Sequence, residues 1–220
     1  MEVEEYYNNL DKSSKTYEQL TTSISILEEA LNKYDTNEIA LPFNGGKDAC
    51  VVFHLYRYML YKRKVPSENM NIIYFVNSRE FDEIHEFMDL LKNKYNLNYC
   101  VYNVSFKDGM IKVVEGGIKA ILMGLRKGDP YSDDALVFHN SSIGWPNFMR
   151  VNAILNVTYD VVWDFLLGAK LPYCKLYDEG YTSLGNIDNT IKNSALLQND
   201  GTYLPAYKLI DLSLERNCRK

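Results

Sequence analysis

Hydrophobic positions in the first part of the chain recur at helical spacing in some segments and crowd into short runs in others. Between residues 13 and 34, apolar side chains return every three or four positions, which predicts an amphipathic helix. Residues 49–60 are strongly apolar over a length that favours a buried helix. Helical spacing also covers residues 81–95, and a shorter helix is predicted around Met110.

Short β-rich segments alternate with these helices. They are residues 38–43 (EIALPF), 71–76 (NIIYFV), 99–104 (YCVYNV) and 119–124 (KAILMG). Strands that alternate with helices in this way form βαβ units. The chain therefore predicts an α/β fold with a mostly parallel sheet that is flanked by helices.

The periodic pattern loosens beyond Pro130, where Gly, Asn, Asp and Thr become frequent. These residues are typical of ordered loops. We expect an α/β domain over residues 1–157, which includes the N-terminal helix, and a loop-rich C-terminal extension over residues 158–220. The extension is expected to fold back over the sheet, so that both parts form one globular unit.

Three predicted strands end at junctions that suit a ligand site. These junctions are Phe43/Asn44, Val76/Asn77 and Gly124/Leu125. In open α/β sheets, ligands bind beyond the carboxyl ends of the strands. We therefore expect the candidate site at this edge of the sheet.

The loop Asn44-Gly45-Gly46-Lys47-Asp48 joins the first predicted strand to a helix. It matches neither the Walker A motif nor the dinucleotide fingerprint GxGxxG. Glycines permit a sharp turn with outward N–H groups, and a helix N-terminus favours anions, so the loop suits a phosphate. Lys47 would neutralise the phosphate, and Asp48 would cap the helix or help to hold magnesium. A simple strand-to-helix turn with an Asp cap explains the same residues.

Composition narrows the class of protein. The net charge of −5 argues against a large nucleic-acid surface, and no apolar run approaches the length of a membrane span. The N-terminal segment lacks the pattern of a signal peptide, so we expect a cytoplasmic protein. Four cysteines without a CxxC pair suit a reducing compartment and disfavour a zinc site: Cys50, Cys100, Cys174 and Cys218.

Several long strings identify a family resemblance. Residues 43–49, FNGGKDA, resemble the pyrophosphate-binding loop (PP-loop) of the ATP pyrophosphatases, usually written SGGxDS. The chain also resembles the eukaryotic FAD synthetases, the FMN adenylyltransferases of the yeast type, which are related to PAPS reductases. That resemblance spans residues from about 40 to the C-terminus and is carried by MGLRKGDPYS (123–132), WPNFMRVNAILNVTYDVVWDFL (145–166), PYCKLYDEGYTSLGNIDNT (172–190) and YLPAYKLIDLSLERNCR (203–219).

The resemblance implies a reaction in which ATP and FMN give FAD and pyrophosphate, with magnesium. It implies ATP-binding residues in the glycine loop and after the second strand: Asn44, Gly45, Gly46, Lys47, Asp48, Asn77 and Arg79, with Ser78 between the last two. It implies flavin-binding residues Arg126, Asp129, Trp145 and Arg150. The implied catalytic residues are Asp48, which is also the candidate magnesium ligand, and Arg216 and Arg219.

Several of these residues also have a simpler interpretation. Trp145 before a proline is often a loop anchor, and Arg79 would equally be an exposed residue after a capped turn. Arg216 and Arg219 are spaced to share one helix face, which alone would be a solvated helix end. Gly144 stands where the family commonly has an aspartate beside the tryptophan.

Three other functions are compatible with a PP-loop fold. A PAPS reductase-like enzyme needs a nucleophilic cysteine in a glycine-rich C-terminal segment, whereas Cys218 lies in ERNCRK. A tRNA-modifying PP-loop enzyme needs a basic surface. An inactive flavin-binding module would not need the glycine loop and the terminal arginines. We expect small-molecule partners only, ATP and FMN, with no nucleic acid, no membrane and a monomeric chain.

Overall fold

A computed structural model describes residues 1–77, 79–130 and 132–219. Ser78 therefore lies outside the described residues. The described part of the chain contains the α-helices α1 (Glu2–Asn9), α2 (Lys15–Lys33), α3 (Lys47–Lys62), α4 (Asp82–Tyr95), α5 (Phe106–Glu115) and α6 (Tyr159–Gly168).

The strands of the described residues form one sheet. They are β1 (Ile39–Pro42), β2 (Asn71–Phe75), β3 (Tyr99–Tyr102), β4 (Ala120–Leu122), β5 (Phe138–Asn140) and β6 (Met149–Val151). Their order across the sheet is β3-β2-β1-β4-β6-β5. All neighbours pair in parallel except β5 and β6, which pair antiparallel at one edge. The predicted α/β fold with a mostly parallel sheet is confirmed.

The sheet separates two hydrophobic cores, and the alternating side chains of β1 show this. Ile39 and Leu41 belong to the large core, which holds residues of α1, α2, α3, α4 and α6. Ala40 belongs to a smaller core on the other face, together with Met110 and Val113 of α5. Successive side chains of a strand point to opposite faces, so a strand that is buried on both sides is apolar throughout.

The four predicted strands are present, and each of their ends lies within two residues of the predicted end. The pattern did not predict β5 and β6, because strands of three residues are too short to show alternation. It also did not predict α6, whose buried residues include Val161, Val162 and Phe165. A helix that is apolar on most sides shows no clear amphipathic period.

Residues after α6 run through short 3-10 turns and irregular segments, as the loop-rich composition predicts. Helix α6 packs on α2 and α3, and residues as late as Leu209 join the large core. Within the described residues, no helix combines the length and hydrophobicity needed to cross a bilayer.

Candidate active site

An open cavity of about 790 Å³ lies at the carboxyl ends of β1, β2 and β4. Its wall combines the loop after β1 with residues after β2 and β4 and with the last turns of the chain. Many predicted site residues line it: Asn44, Gly46, Lys47, Asp48, Asn77, Asp129, Arg216 and Arg219. The other predicted residues, all within the described part of the chain, do not belong to this lining: Gly45, Arg79, Arg126, Trp145 and Arg150.

The loop between β1 and α3 turns sharply because Gly45 has a φ of +73°, which other residues rarely adopt. A Cβ at Gly45 would lie 3.0 Å from Cγ2 of Ile84, so the loop rests directly on α4. The side-chain oxygen of Asn44 accepts the N–H of Gly46 at 3.1 Å, which closes the turn. The first turn of α3 therefore faces the cavity, where its N-terminus favours an anion.

Tyr177 binds a backbone N–H group at the start of α3. The sequence analysis did not assign a role to this residue. Its hydroxyl oxygen accepts the N–H of Lys47 at 2.8 Å, and the residue is almost fully buried at the cavity wall. Burial, followed by the negative charge of Asp48, raises the pKa of Tyr177 well above its ordinary value. The phenol is therefore a neutral hydrogen-bonding group at the helix terminus.

Four charged side chains form a buried cluster beneath the loop: Lys47, Asp48, Arg126 and Glu215. Lys47 Nζ donates to Asp48 Oδ2 at 3.1 Å and to Glu215 Oε1 at 2.6 Å. Arg126 Nε donates to Asp48 Oδ1 at 2.7 Å, and its Nη2 donates to the same oxygen of Glu215. The side chains of Lys47 and Arg126 are only 1% and 4% exposed. Both cations are thus neutralised by the protein's own carboxylates.

The cluster keeps Asp48 ionised. Burial alone raises the pKa of Asp48, but the positive charges of Lys47 and Arg126 outweigh it and hold this pKa below the ordinary value. Asp129 behaves in the opposite way. Burial raises the pKa of Asp129, and the neighbouring negative charge of Asp48 raises it further. The hydrogen bond from the N–H of Arg126 lowers this pKa but does not cancel the rise.

Arg216 reaches the cavity from the end of the chain and is held by Asp129. Its Nη1 donates to Asp129 Oδ1 at 2.9 Å, and the other oxygen of Asp129 accepts the N–H of Arg126 at 2.9 Å. The backbone of Arg126 therefore holds Asp129, which orients Arg216. Glu215, which directly precedes Arg216, accepts from the guanidinium of the same Arg126.

The guanidinium of Arg219 lies in the space that is left open because Gly185 has no side chain. Its guanidinium donates to the carbonyl of Leu184, and a Cβ at Gly185 would lie 2.3 Å from it. Gly185 is therefore needed for Arg219 to occupy its position. The predicted helix face for Arg216 and Arg219 is wrong, because this segment consists of turns that follow the 3-10 turn Leu212–Leu214. Both arginines nevertheless line the same cavity.

The residues after β2 connect the cavity to the extension. The side chain of Asn77 donates to Asn186 and accepts the N–H of Arg79 at 3.1 Å. Arg79 Nε donates to Asp188 at 2.9 Å, and the arginine side chain is 59% exposed. Arg79 thus lies at the rim, paired with an acid of the extension.

The residues that were predicted to bind the flavin have different neighbours from one another. Trp145 packs edge-on against Phe106 with ring centroids 5.7 Å apart, and Phe106 itself lines the cavity. Arg150 donates to the hydroxyl of Ser142 at 3.0 Å, which braces the loop that carries Trp145. Gly144 has a φ of +83°, so an aspartate there would be strained.

The sequence missed Glu215 for a physical reason. An acid beside an arginine in ERNCRK is typical of a solvated turn, and nothing local indicates that this acid is buried between two cations. Its partners precede it by 168 and 89 residues. Only the folded chain brings the three together.

The cysteines of the described residues do not form a reactive group at the cavity. Cys50, Cys174 and Cys218 are buried, and the exposed Cys100 lies on β3. Cys218 Sγ contacts the carbonyl of Ser183 at 3.3 Å. Within the described residues, no cluster of three or more His, Cys, Asp or Glu side chains is arranged to hold a metal ion.

Comparison with known proteins places this geometry in context. The family model of the phosphoadenosine phosphosulfate reductase domain matches residues 38–110 and 108–192. A probable FAD synthase of Schizosaccharomyces pombe is 41% identical over 205 residues, which cover 90% of this chain and 77% of that protein. A probable FAD synthase of Caenorhabditis elegans is 39% identical over 208 residues, which cover 90% of this chain and 40% of that longer protein.

The fold also matches a solved structure. The crystal structure of Candida glabrata FMN adenylyltransferase superposes with a TM-score of 0.90 at 22% identity. The superposition covers 100% of this chain and 94% of that one. The similarity includes the C-terminal extension, so the extension is part of the shared fold.

Proposed function

The chain belongs to the FAD synthase family, and from this premise we propose that it transfers the AMP group of ATP to FMN, giving FAD and pyrophosphate. One observation carries the proposal: the loop of residues 44–48 meets Arg216 and Arg219 in a single cavity. Transfer between two phosphates needs hydrogen-bond donors and positive charge around the reacting phosphorus. The helix terminus and the two arginines supply both.

The reaction requires little covalent chemistry from the protein. An oxygen of the FMN phosphate attacks the α-phosphorus of ATP and forms a new P–O bond. The bond from the α-phosphorus to the oxygen that bridges to the β-phosphate breaks, and pyrophosphate leaves. Because the attacking phosphate is already ionised, no general base is needed. Positioning and charge neutralisation are then the main contributions of the protein.

We assign the β- and γ-phosphates of ATP to the loop Asn44-Gly45-Gly46-Lys47-Asp48, where the start of α3 favours anions. Lys47 is assigned a structural part in this loop, because its ammonium is bound to Asp48 and Glu215 and its N–H donates to Tyr177. Asn77 and Arg79 are assigned to the nucleotide at the end of β2. Arg216 and Arg219 are assigned to the phosphates that are joined.

The flavin is assigned to the region of Asp129, Trp145 and Arg150. Asp129 lines the cavity, and Trp145 supports the ring of Phe106 on the wall. A planar ring system suits aromatic faces of this kind. Arg126 is assigned a positioning role, since its guanidinium binds Asp48 and Glu215 behind the wall.

Magnesium is proposed to enter as part of the Mg·ATP substrate. Each oxygen of Asp48 already accepts one hydrogen bond from a cation, which balances part of its charge before any ion binds. Mg²⁺ at nucleotide sites commonly takes its ligands from phosphates and water. ATP phosphates would therefore hold the ion, and Asp48 would act on it through the charge of the site.

The rival functions lack support at the cavity. A PAPS reductase-like reaction needs an accessible thiol, whereas Cys218 is buried. A tRNA-modifying role needs a basic surface, whereas the net charge is −5. An inactive flavin-binding module would not require the loop and both arginines at one cavity.

We also propose a monomeric cytoplasmic enzyme in which residues 158–220 belong to the same globular unit as residues 1–157. Residues of one chain line the cavity from both parts, and four unpaired thiols suit a reducing compartment. Light scattering of the purified protein tests the monomeric state, and a dimer would contradict it.

The test is direct. Purified protein is incubated with FMN, ATP and magnesium, and FAD and pyrophosphate are quantified. We expect the two products in equal amounts. Binding of FMN without FAD formation would favour the inactive module, and consumption of PAPS with a thiol reductant would favour the reductase.

A further inference from the structure

Glu215 connects the end of the chain to the glycine loop. We propose that Glu215 is a positioning residue, and this inference rests on the proposed function. Glu215 would hold the loop that carries Asp48 and the neighbouring Arg216 at the distance from each other that the reaction needs. One oxygen of its carboxylate accepts from both Lys47 and Arg126. Its side chain is 11% exposed, so water screens these contacts little.

The backbone on both sides of this carboxylate is fixed independently. The hydroxyl of Thr182 donates to the carbonyl of Glu215 at 2.6 Å, and the amide of Asn193 donates to the carbonyl of Leu214 at 2.8 Å. The extension therefore holds the end of the chain in place by its backbone. The side chain of Glu215 is what reaches from that fixed point to the loop.

Arg126 links Glu215 both to the glycine loop and to Arg216. Its guanidinium contacts Asp48 and Glu215, and its backbone N–H contacts Asp129, which in turn binds Arg216. A displacement of Arg126 therefore moves the acid of the loop and the arginine of the tail together. Glu215 sets the position of Arg126 from one side.

The charge of Glu215 matters as well as its shape. Without it, Lys47 and Arg126 would both depend on the single carboxylate of Asp48. An uncompensated buried cation is costly, so the ammonium and the guanidinium would compete for Asp48 and change its orientation. Neutral glutamine, which is almost the same size, isolates this effect.

Glu215 does not belong to the wall that faces the substrates. Among the described residues it lines a smaller cavity of about 350 Å³, together with Arg126 and Lys127, behind the charged cluster. A residue that acts only through others should change the rate of the chemical step more than substrate binding.

The test is Glu215→Gln, assayed for FAD formation with FMN and Mg·ATP as probes. We expect kcat to fall by roughly 10- to 100-fold, the scale of a small misplacement of reacting groups, with a smaller change in KM for either substrate. Glu215→Asp keeps the charge on a shorter arm and should retain more activity than Glu215→Gln. An unchanged kcat in Glu215→Gln, or activity of Glu215→Asp at or below that of Glu215→Gln, would overturn the proposal.

A matched variant separates positioning from stability. Glu2→Gln removes the carboxylate partner of Arg57, a pair with a 3.1 Å contact in which neither residue lines the cavity. We expect it to lower Tm without lowering kcat. If Glu2→Gln reduced kcat as much as Glu215→Gln at a similar Tm, the loss would arise from stability and the proposal would be wrong.

A double variant tests the route of the effect. If Glu215 acts through Arg216, the combined loss in Glu215→Gln/Arg216→Lys should be smaller than the product of the two single losses. Losses that simply multiply would contradict this route. A wild-type protein that forms no FAD would instead refute the proposed function, so the two failures give different results.

Discussion

Asp48 shows how single residues in this site depend on their neighbours. Each of its oxygens is bound by a different cation, Lys47 or Arg126, and these charges lower its pKa in spite of burial. A carboxylate held in this way is a fixed negative charge at the start of α3. Its removal would leave Lys47 and Arg126 with Glu215 as their only carboxylate in the cluster.

Asp48→Ala tests this residue. We expect FAD formation to fall by at least about 100-fold, the scale for loss of a preorganised electrostatic group, while circular dichroism shows a folded protein. Asp160→Ala is a control, because Asp160 pairs with Lys15 at 2.7 Å on an exposed surface. Activity of Asp48→Ala close to that of the wild type would exclude a catalytic role for the loop acid.

His54 is a second residue whose environment predicts a measurable property. It is fully buried in α3, and both of its ring nitrogens lack hydrogen-bond partners in the described part of the chain. Burial, with the charges of Arg57 and Lys94, lowers the pKa of His54 well below its ordinary value of 6.5. The folded protein therefore keeps this imidazole neutral, whereas the unfolded chain protonates it below about pH 6.5.

Because the folded-state pKa is depressed, the stabilising contribution is present above pH 6.5 and is lost as the pH falls. We expect the free energy of unfolding to drop by about 1 kcal/mol between pH 7 and pH 5.5. Chemical denaturation at both pH values measures it. His54→Leu should lose most of this pH dependence, whereas His85→Leu, at a half-exposed histidine, should retain it. An equal slope in wild type and His54→Leu would show that other groups are responsible.

At the scale of elements, the site depends on how closely β4 approaches α3. A Cβ on Gly124 would lie 3.1 Å from the backbone nitrogen of Ala49 and 3.3 Å from the carbonyl carbon of Asp48. These are backbone atoms at the start of a helix and have little freedom to move. A glycine after β4 is therefore what allows the loop to lie against the strand end.

Gly124→Ala should push the first turn of α3 away from β4. We expect a loss of stability of about 1–3 kcal/mol, as for other overpacked sites, and a rise of about tenfold in KM for ATP, which corresponds to 1.4 kcal/mol of binding. Gly201→Ala provides the comparison, because Gly201 has a φ of +84° in a turn with open space around it. It should reduce stability without changing KM. No change in KM for Gly124→Ala would mean that the loop tolerates displacement.

At the scale of the whole molecule, the extension returns the end of the chain to the first loop. Asn186 and Asp188 contact Asn77 and Arg79, and the terminal turns place Arg216 and Arg219 at the cavity. The cavity is thus lined by parts of the chain that are far apart in the sequence. A sheet domain without the extension would present only the loop and the strand ends.

Arg216→Lys and Arg219→Lys test this arrangement. Lysine keeps the charge but loses the planar fork, so we expect kcat to fall by at least about tenfold and more than KM rises. Steady-state kinetics with both substrates measures the two effects. Lys192→Arg is a control, since Lys192 lies over the rings of Tyr181 and Tyr203 rather than among the cavity residues. Full activity in both lysine variants would remove the arginines from the mechanism.

The fold class, the glycine loop and the family were predictable from the amino-acid sequence alone. Long apolar runs and their alternation predict helices and strands, because these signals arise between near neighbours in the chain. The family resemblance is confirmed by relatives with 41% and 39% identity. The family resemblance also identified Arg216 and Arg219 as residues to test, and both line the cavity.

The directions of the charged side chains were not predictable in this way, because they depend on the packing of distant segments. Lys47 turns beneath the loop instead of toward the cavity, Arg126 lies behind the wall, and Glu215 joins them. Local patterns report periodicity and turns, but a buried ion cluster arises from residues as far as 168 positions apart. Their contacts depend on the packing of the extension against α3 and β4, which no single segment of the sequence contains.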